Sequence, residues 1–310
     1  MITFDKLKIV SDIRTVKVRD ESSFELIKKN GQIRSLKYYQ EHPFLLRVKI
    51  DYESSEAVIE FCGKILGKDY PKLISKDTIR QCFEAINRLG FVEIDIDAMM
   101  EADVVKCDVT KDIPVKEVSQ VTDYCRSHIK NYQKFICRKL RNGNTVIEKN
   151  VVNRKYKKRI TIYDKGKEMF QSDNQPFVHE YGLEDAFSGM CRFELNLNSK
   201  EQIRKALNIT DTKLMTVLSA DADPITEFLD EVVEPQDTVA MTDRKSYVTM
   251  LVLKDCDYDL EKVEAKMRSL YKSKGTSISR VMEPYKKMME HMGGQLEESV
   301  LWNNIRRKLS

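Results

Sequence analysis

RITIYDKGKEM (Arg159–Met169) and, after a gap, CRFELNLN (Cys191–Asn198) decide the fold class. Successive side chains of a strand point to opposite faces. In the first stretch that sets Ile160, Ile162 and Asp164 against Arg159, Thr161, Tyr163 and Lys165. In the second it sets Phe193, Leu195 and Leu197 against Arg192, Glu194 and Asn196. Both read as strands with one apolar and one reactive face. Upstream, ADVVKCDVTKD (Ala102–Asp112) alternates again, with Val105, Cys107 and Val109 opposite Val104, Lys106 and Asp108. If the three share one antiparallel sheet, Asp108, Tyr163 and Glu194 point to the same side.

Working outward, MITFDKLKIVSDI (1–13), HPFLLRVKIDY (42–52) and AVIEFCG (57–63) read as strands, with LGKDYPKLI (66–74) as a turn. SKDTIRQCFEAINRLG (75–90) reads as a helix with Ser75 as N-cap and Gly90 past its end. FVEIDIDAM (91–99) alternates as a strand, and a helix from about 115 to 140 ends at the Asn-Gly turn of RNGN. Two strands should flank the basic loop that follows. Residues 202–218 read as helical, 221–235 as acidic with a short helix, and 243–254 as helix or strand. DLEKVEAKMRSLYKSKG (259–275) and SISRVMEPYKKMMEHMGG (277–294) read as two basic amphipathic helices ended by glycine. The expected fold is α+β, an antiparallel sheet flanked by helices over 1–205, followed by a mostly helical part over 206–310.

The 310 residues, 41% hydrophobic and 33% charged, suit a soluble chain with a real core. There is no run of about 18 apolar residues and no secretory leader, so the expectation is a cytoplasmic protein with no membrane partner. Seven cysteines without a CxxC pair argue against a disulfide framework or a zinc site. The net charge of +4 is unevenly spread: Lys149 to Lys167 holds eight Lys or Arg against one acid, Asp164. Arg154, Lys155, Lys157, Lys158 and Arg159 thus form a candidate polyanion-binding loop.

Asp108 and Glu194 offer hard oxygen ligands for Mg2+ or Mn2+, Tyr163 a hydroxyl nucleophile, and Arg159 and Arg192 cations for a phosphate. Those are the parts of metal-assisted phosphoryl transfer. An ordinary solvated sheet face would also carry Arg, Glu, Lys and Tyr. Glu168 is either a third acidic ligand or a helix-start acid. Tyr156, inside the basic loop, is a rival nucleophile or a base-stacking residue, and Lys165 flanks Tyr163.

IYDKGKEM followed some thirty residues later by RFELNL, with KCDVTKD upstream, resembles the rolling-circle replication initiators of the phage gene II/X and plasmid Rep type. By order of elements the resemblance covers about residues 1–270, and only these three short motifs are specific. It implies a relaxase-like sheet whose tyrosine attacks one strand at a double-strand origin. The product is a 5′-phosphotyrosine and a 3′-hydroxyl primer, with a divalent metal on the scissile phosphate. Relatives with a His-hydrophobe-His pair bind metal through it; here His42, His128, His179 and His291 are isolated, so Asp108, Glu194 and Glu168 would take that role. The strand before the YDK motif, NTVIEKN, lacks the tyrosine that many relatives carry there. Implied partners are origin DNA, double- and single-stranded, host helicase and polymerase, and a second copy in a homodimer. The Lys and Arg residues of the amphipathic helices over Asp259–Gly294 lead separately to the expectation that these helices contribute to binding double-stranded origin DNA. A non-catalytic sequence-specific DNA-binding protein and a mobilisation relaxase are the alternatives.

Overall fold

The computed structural model describes residues 2–130, 133–153, 157–234, 244–256, 258–270 and 277–309. Its strands are β1 (Phe4–Asp12), β2 (Val16–Val18), β3 (Glu25–Lys29), β4 (Gln32–Gln40), β5 (Leu46–Asp51), β6 (Glu56–Cys62), β7 (Val92–Ile94), β8 (Asp103–Pro114), β9 (Phe135–Lys139), β10 (Thr145–Lys149), β11 (Arg159–Asp164) and β12 (Met190–Leu197). Ten of them form one antiparallel sheet in the order β3-β4-β5-β6-β1-β8-β12-β11-β10-β9, and β2 pairs with β7. The helices of the same unit are α1 (Ile79–Arg88), α2 (Ile96–Met99), α3 (Val118–Ser127), α4 (Lys165–Met169), α5 (Gln175–Tyr181), α6 (Lys200–Leu207), α7 (Leu214–Leu218) and α8 (Pro224–Val232).

The expected α+β class with a large antiparallel sheet is present, and the β8, β12 and β11 motif strands are adjacent at its centre. Leu7, Ile9, Val104, Cys107, Phe193, Leu195, Ile160 and Ile162 are buried on one face. A sheet of this kind hides one face and leaves the other to polar side chains. At about 25 cal/mol per Å2, burying each Leu, Ile or Phe of that face contributes roughly 1.5–3 kcal/mol.

Several elements differ from expectation for local reasons. The 66–74 turn lies within a 3-10 segment, Gly63–Lys72. Only Val92–Ile94 of FVEIDIDAM is strand, because the Asp95 carboxylate accepts from the Ala98 N–H and caps α2. The helix expected to reach residue 140 ends at Ser127. The Asn142-Gly143 pair instead turns a hairpin whose first arm is β9, with Gly143 at φ +87. A second hairpin, β3–β4, turns at Asn30-Gly31, both at positive φ, and was not anticipated. In β8 a register shift opposite Lys8 and Ile9 puts Val104 on the buried face beside Cys107, breaking the simple alternation. The helical stretch 202–218 is split by Asn208, which takes the left-handed conformation that closes α6.

The chain divides into two compact units, residues 1–234 with 308–310, and residues 235–307. The division falls after 234 rather than near 205 because α6, α7 and α8 pack on β8 or β12. The second unit contains α9 (Arg244–Asp255), which settles the undecided stretch as helix, α10 (Leu260–Leu270) and most of α11 (Ile278–Leu309). Leu253, Cys256, Val263, Met267 and Met282 form its core. Gly293 and Gly294 do not end α11, which continues to Leu309.

Candidate functional site

The polar face of the sheet is ordered in cross-strand rows, and each row is set by register. Asp112, Arg192 and Tyr163 lie opposite one another on β8, β12 and β11. The next row is Thr110, Glu194 and Thr161, and the one after is Asp108, Asn196 and Arg159, continuing to Glu148 on β10. Asp108, Tyr163 and Glu194 therefore share a face, as expected for strands of one antiparallel sheet.

Arg192 is fully buried at the centre of the first row. Its Nε and Nη2 donate to the two oxygens of Asp112, each at 2.6 Å, and its Nη1 donates to Asp5 Oδ1 at 2.7 Å and to the Tyr70 hydroxyl at 2.9 Å. The Tyr70 hydroxyl in turn donates to Asp5. A bidentate pair of this geometry is among the strongest polar contacts a protein makes. Burial alone would lower the Arg192 pKa, but Tyr70, Asp112 and Asp5 hold it well above the ordinary arginine value. For Asp5, burial would raise the pKa, and the Arg192 guanidinium with Lys165 brings it below the usual carboxylate value.

Beside this cluster the Tyr163 hydroxyl donates to Glu194 Oε1 at 2.5 Å. Burial, and then the Glu194 charge, push the phenol well above its ordinary pKa, against the pull of Arg192. Flanking cations thus do not make Tyr163 a ready phenolate, because desolvation outweighs them. Burial and the Asp5 charge raise the Glu194 carboxyl to about 7, opposed by Arg192 and Lys165.

Lys165 does not continue the strand. Asp164 caps α4 through the Lys167 N–H, and Lys165 opens that helix. Its buried Nζ donates to Glu168 Oε2 at 2.5 Å and lies 5.8 Å from the Tyr163 ring and 5.1 Å from the Tyr70 ring. Burial, then Arg192, lower the Lys165 pKa. Asn174 also donates to Glu168, and Lys64 donates to Asn174 at 2.5 Å. Gly166 in the YDKGKEM motif is required by space, since a Cβ there would meet the Phe187 carbonyl oxygen at 2.9 Å.

The two carboxylates with Glu168 do not assemble into a metal-holding group: among the described residues no three His, Cys, Asp or Glu side chains do so. Glu168 is tied to Lys165 and Asn174, Glu194 to Tyr163, and Asp108 to Asn196. Asp108 keeps one buried oxygen, Oδ1, without a hydrogen-bond partner, and burial raises its pKa. Each of the three acids is thus engaged by a protein side chain rather than by the other two.

Farther along the same face a groove of about 690 Å3 is lined by Lys106, Arg138, Glu148, Lys157, Arg159, Asn196 and Asn198. Glu148 pairs with Arg138 and with Lys157. Lys158 lies over the Phe228 ring, away from this groove's lining, and burial lowers its pKa. Arg154, Lys155 and Tyr156 lie outside the described residues. The sequence reading missed Asp5, Tyr70 and Asp112. Asp112 was visible, four residues beyond Asp108 on the same strand face. Asp5 was not, because a register shift between Phe4 and Lys6 turns its carboxylate to the polar face.

No helix among the described residues is long and apolar enough to cross a membrane. Compared with protein-family models, curated proteins and solved structures, the chain matches none.

Proposed function

We propose that the protein is a DNA-binding replication initiator that nicks and rejoins one strand through Tyr163, with Glu194 as its general base. The observation that carries this is the 2.5 Å hydrogen bond from the phenol to a carboxylate raised to about 7. A phenol with an ordinary pKa near 10 is a poor nucleophile at neutral pH. A hydrogen-bonded base that is half ionised near neutrality is the partner it needs.

In the step, the Tyr163 oxygen attacks phosphorus while its proton passes to Glu194. The bond from phosphorus to the 3′-oxygen breaks, leaving a 5′-phosphotyrosine, and the departing 3′-oxygen takes a proton from Lys165 or from water to become the primer hydroxyl. Rejoining runs the same transfers backwards. Arg192 holds the reacting row in place, and Arg159, four residues from Tyr163 on the same strand face, binds the backbone about 13 Å away. Supercoiled plasmid carrying the origin tests the proposal: nicking with a DNA adduct mapped to Tyr163 supports it, and adduct formation by Tyr163→Phe sinks it.

A second reading, DNA binding without nicking, is favoured by one observation: Tyr163 is only 7% exposed, inside a cluster whose acids are already engaged by Arg192 and Lys165. Origin binding with no nicked product under any metal condition would select it.

A further inference from the structure

Beyond the nicking row, the polar face continues across the other half of the sheet. Tyr39, Arg47, Glu60, Lys8 and Lys106 lie directly opposite one another on β4, β5, β6, β1 and β8, so a single cross-strand row runs from an exposed aromatic ring to the Lys106 groove. Tyr39 is 55% exposed, and the Arg47 guanidinium sits 4.9 Å from its ring centroid. Glu60 is contacted by three cations, Lys6 at 3.0 Å, Arg47 at 3.6 Å and Lys8 at 4.0 Å, which leaves an excess of positive charge along the row. A second groove of about 730 Å3 opens here, where Lys8, Lys37, Arg47 and Lys49 outnumber the acids Glu25 and Glu60 in the lining.

We propose that this row is a track for single-stranded DNA, its phosphates on Lys106, Lys8 and Arg47 and a base stacked on Tyr39. The proposal deepens the nicking reading by naming where the strand beyond the reacting row runs. Cations in a line fit a polyanion backbone, and an aromatic ring beside an arginine at the end of that line is a sequence-tolerant stacking platform. A duplex keeps its bases paired and cannot use the ring, so an exposed tyrosine selects a single strand. From Lys106 on β8 to Tyr39 on β4 the track crosses four strand spacings, roughly 19 Å at about 4.8 Å each. Tyr39 is tethered by donating to Glu41 at 2.6 Å and by the Arg47 guanidinium over one face of its ring, and it stays more than half exposed.

The test is fluorescence anisotropy of the full chain with labelled oligothymidylates of graded length, about 4 to 16 nucleotides, and with a labelled duplex. Tyr39→Ala is expected to weaken oligothymidylate binding roughly 5- to 150-fold, the usual worth of one stacked base, while Tyr39→Phe restores it and duplex affinity stays unchanged. Arg47→Ala and Lys106→Ala should each lower the salt slope by about one. If oligothymidylate binds and Arg159→Ala weakens it, yet Tyr39→Ala and Arg47→Ala bind as the wild type does, the track is wrong and the nicking reading stands. If wild type binds neither oligothymidylate nor duplex, both fall together.

Discussion

Tyr163 and Glu194 meet on the diagonal of the sheet: register places Tyr163 opposite Arg192 and Glu194 opposite Thr161, yet the phenol reaches the carboxylate at 2.5 Å. Diagonal neighbours are within reach of long aromatic side chains. The relationship puts a hydroxyl, a base and a guanidinium on two neighbouring strands.

Removing either partner of that pair should separate binding from chemistry. Tyr163→Phe is expected to keep DNA affinity within about twofold and to abolish the covalent adduct. Glu194→Gln should slow adduct formation by about 10²–10⁴-fold, the usual worth of a positioned base. Tyr156→Phe should leave the adduct intact. Denaturing gels of protein with a labelled origin oligonucleotide, followed by peptide mapping, check all three.

The pH dependence of stability follows from the same carboxyl. Glu194 is raised from an ordinary 4.5 to about 7, so the folded chain holds a proton there that the unfolded chain releases. The stabilisation is complete below the ordinary carboxylate pKa and is lost as pH rises through about 7, at most about 3 kcal/mol. Asp108, also raised, acts with the same sign, whereas Asp5, lowered, acts oppositely and only as pH falls through the acid range. Urea titrations at intervals from about pH 5 to pH 8.5 should show wild type losing stability across neutrality and Glu194→Gln losing less. Equal slopes for the two proteins would exclude Glu194 as the titrating group.

Arg192 should be the costliest single residue of the cluster. Arg192→Met leaves Asp112 and Asp5 without their shared counter-ion, and an uncompensated buried charge costs about 3–5 kcal/mol. Arg192→Lys cannot reproduce the two-pronged contact with Asp112 and should recover only part of the loss. Urea midpoints for the two variants provide the measurement.

Surface cations of the Lys106 groove should act on DNA affinity without touching the fold. Arg159 is exposed, and Arg159→Ala is expected to weaken duplex and single-strand binding alike and to lower the salt slope by about one. Thermal unfolding of this variant should stay within about 0.5 kcal/mol of wild type.

The alternating patterns of 159–164 and 191–198 were enough to read these stretches as strands with one apolar face, Ile160 and Ile162 on the first and Phe193 and Leu195 on the second. Together with 102–112 they also put Asp108, Tyr163 and Glu194 on one side on the condition that the strands share one antiparallel sheet. Alternation says nothing of which strands become neighbours, and pairing is a long-range choice. The tertiary structure alone decided that Asp112, Arg192 and Tyr163 form one row, and that Asp5, 187 positions from Arg192, is turned toward it by a register shift. It also decided that Tyr70, from a stretch read as a turn, closes the cluster. Charge state was equally hidden: Glu194 near 7 and an unwilling Tyr163 phenol follow from burial, a property of the packed chain and not of any residue's neighbours in sequence.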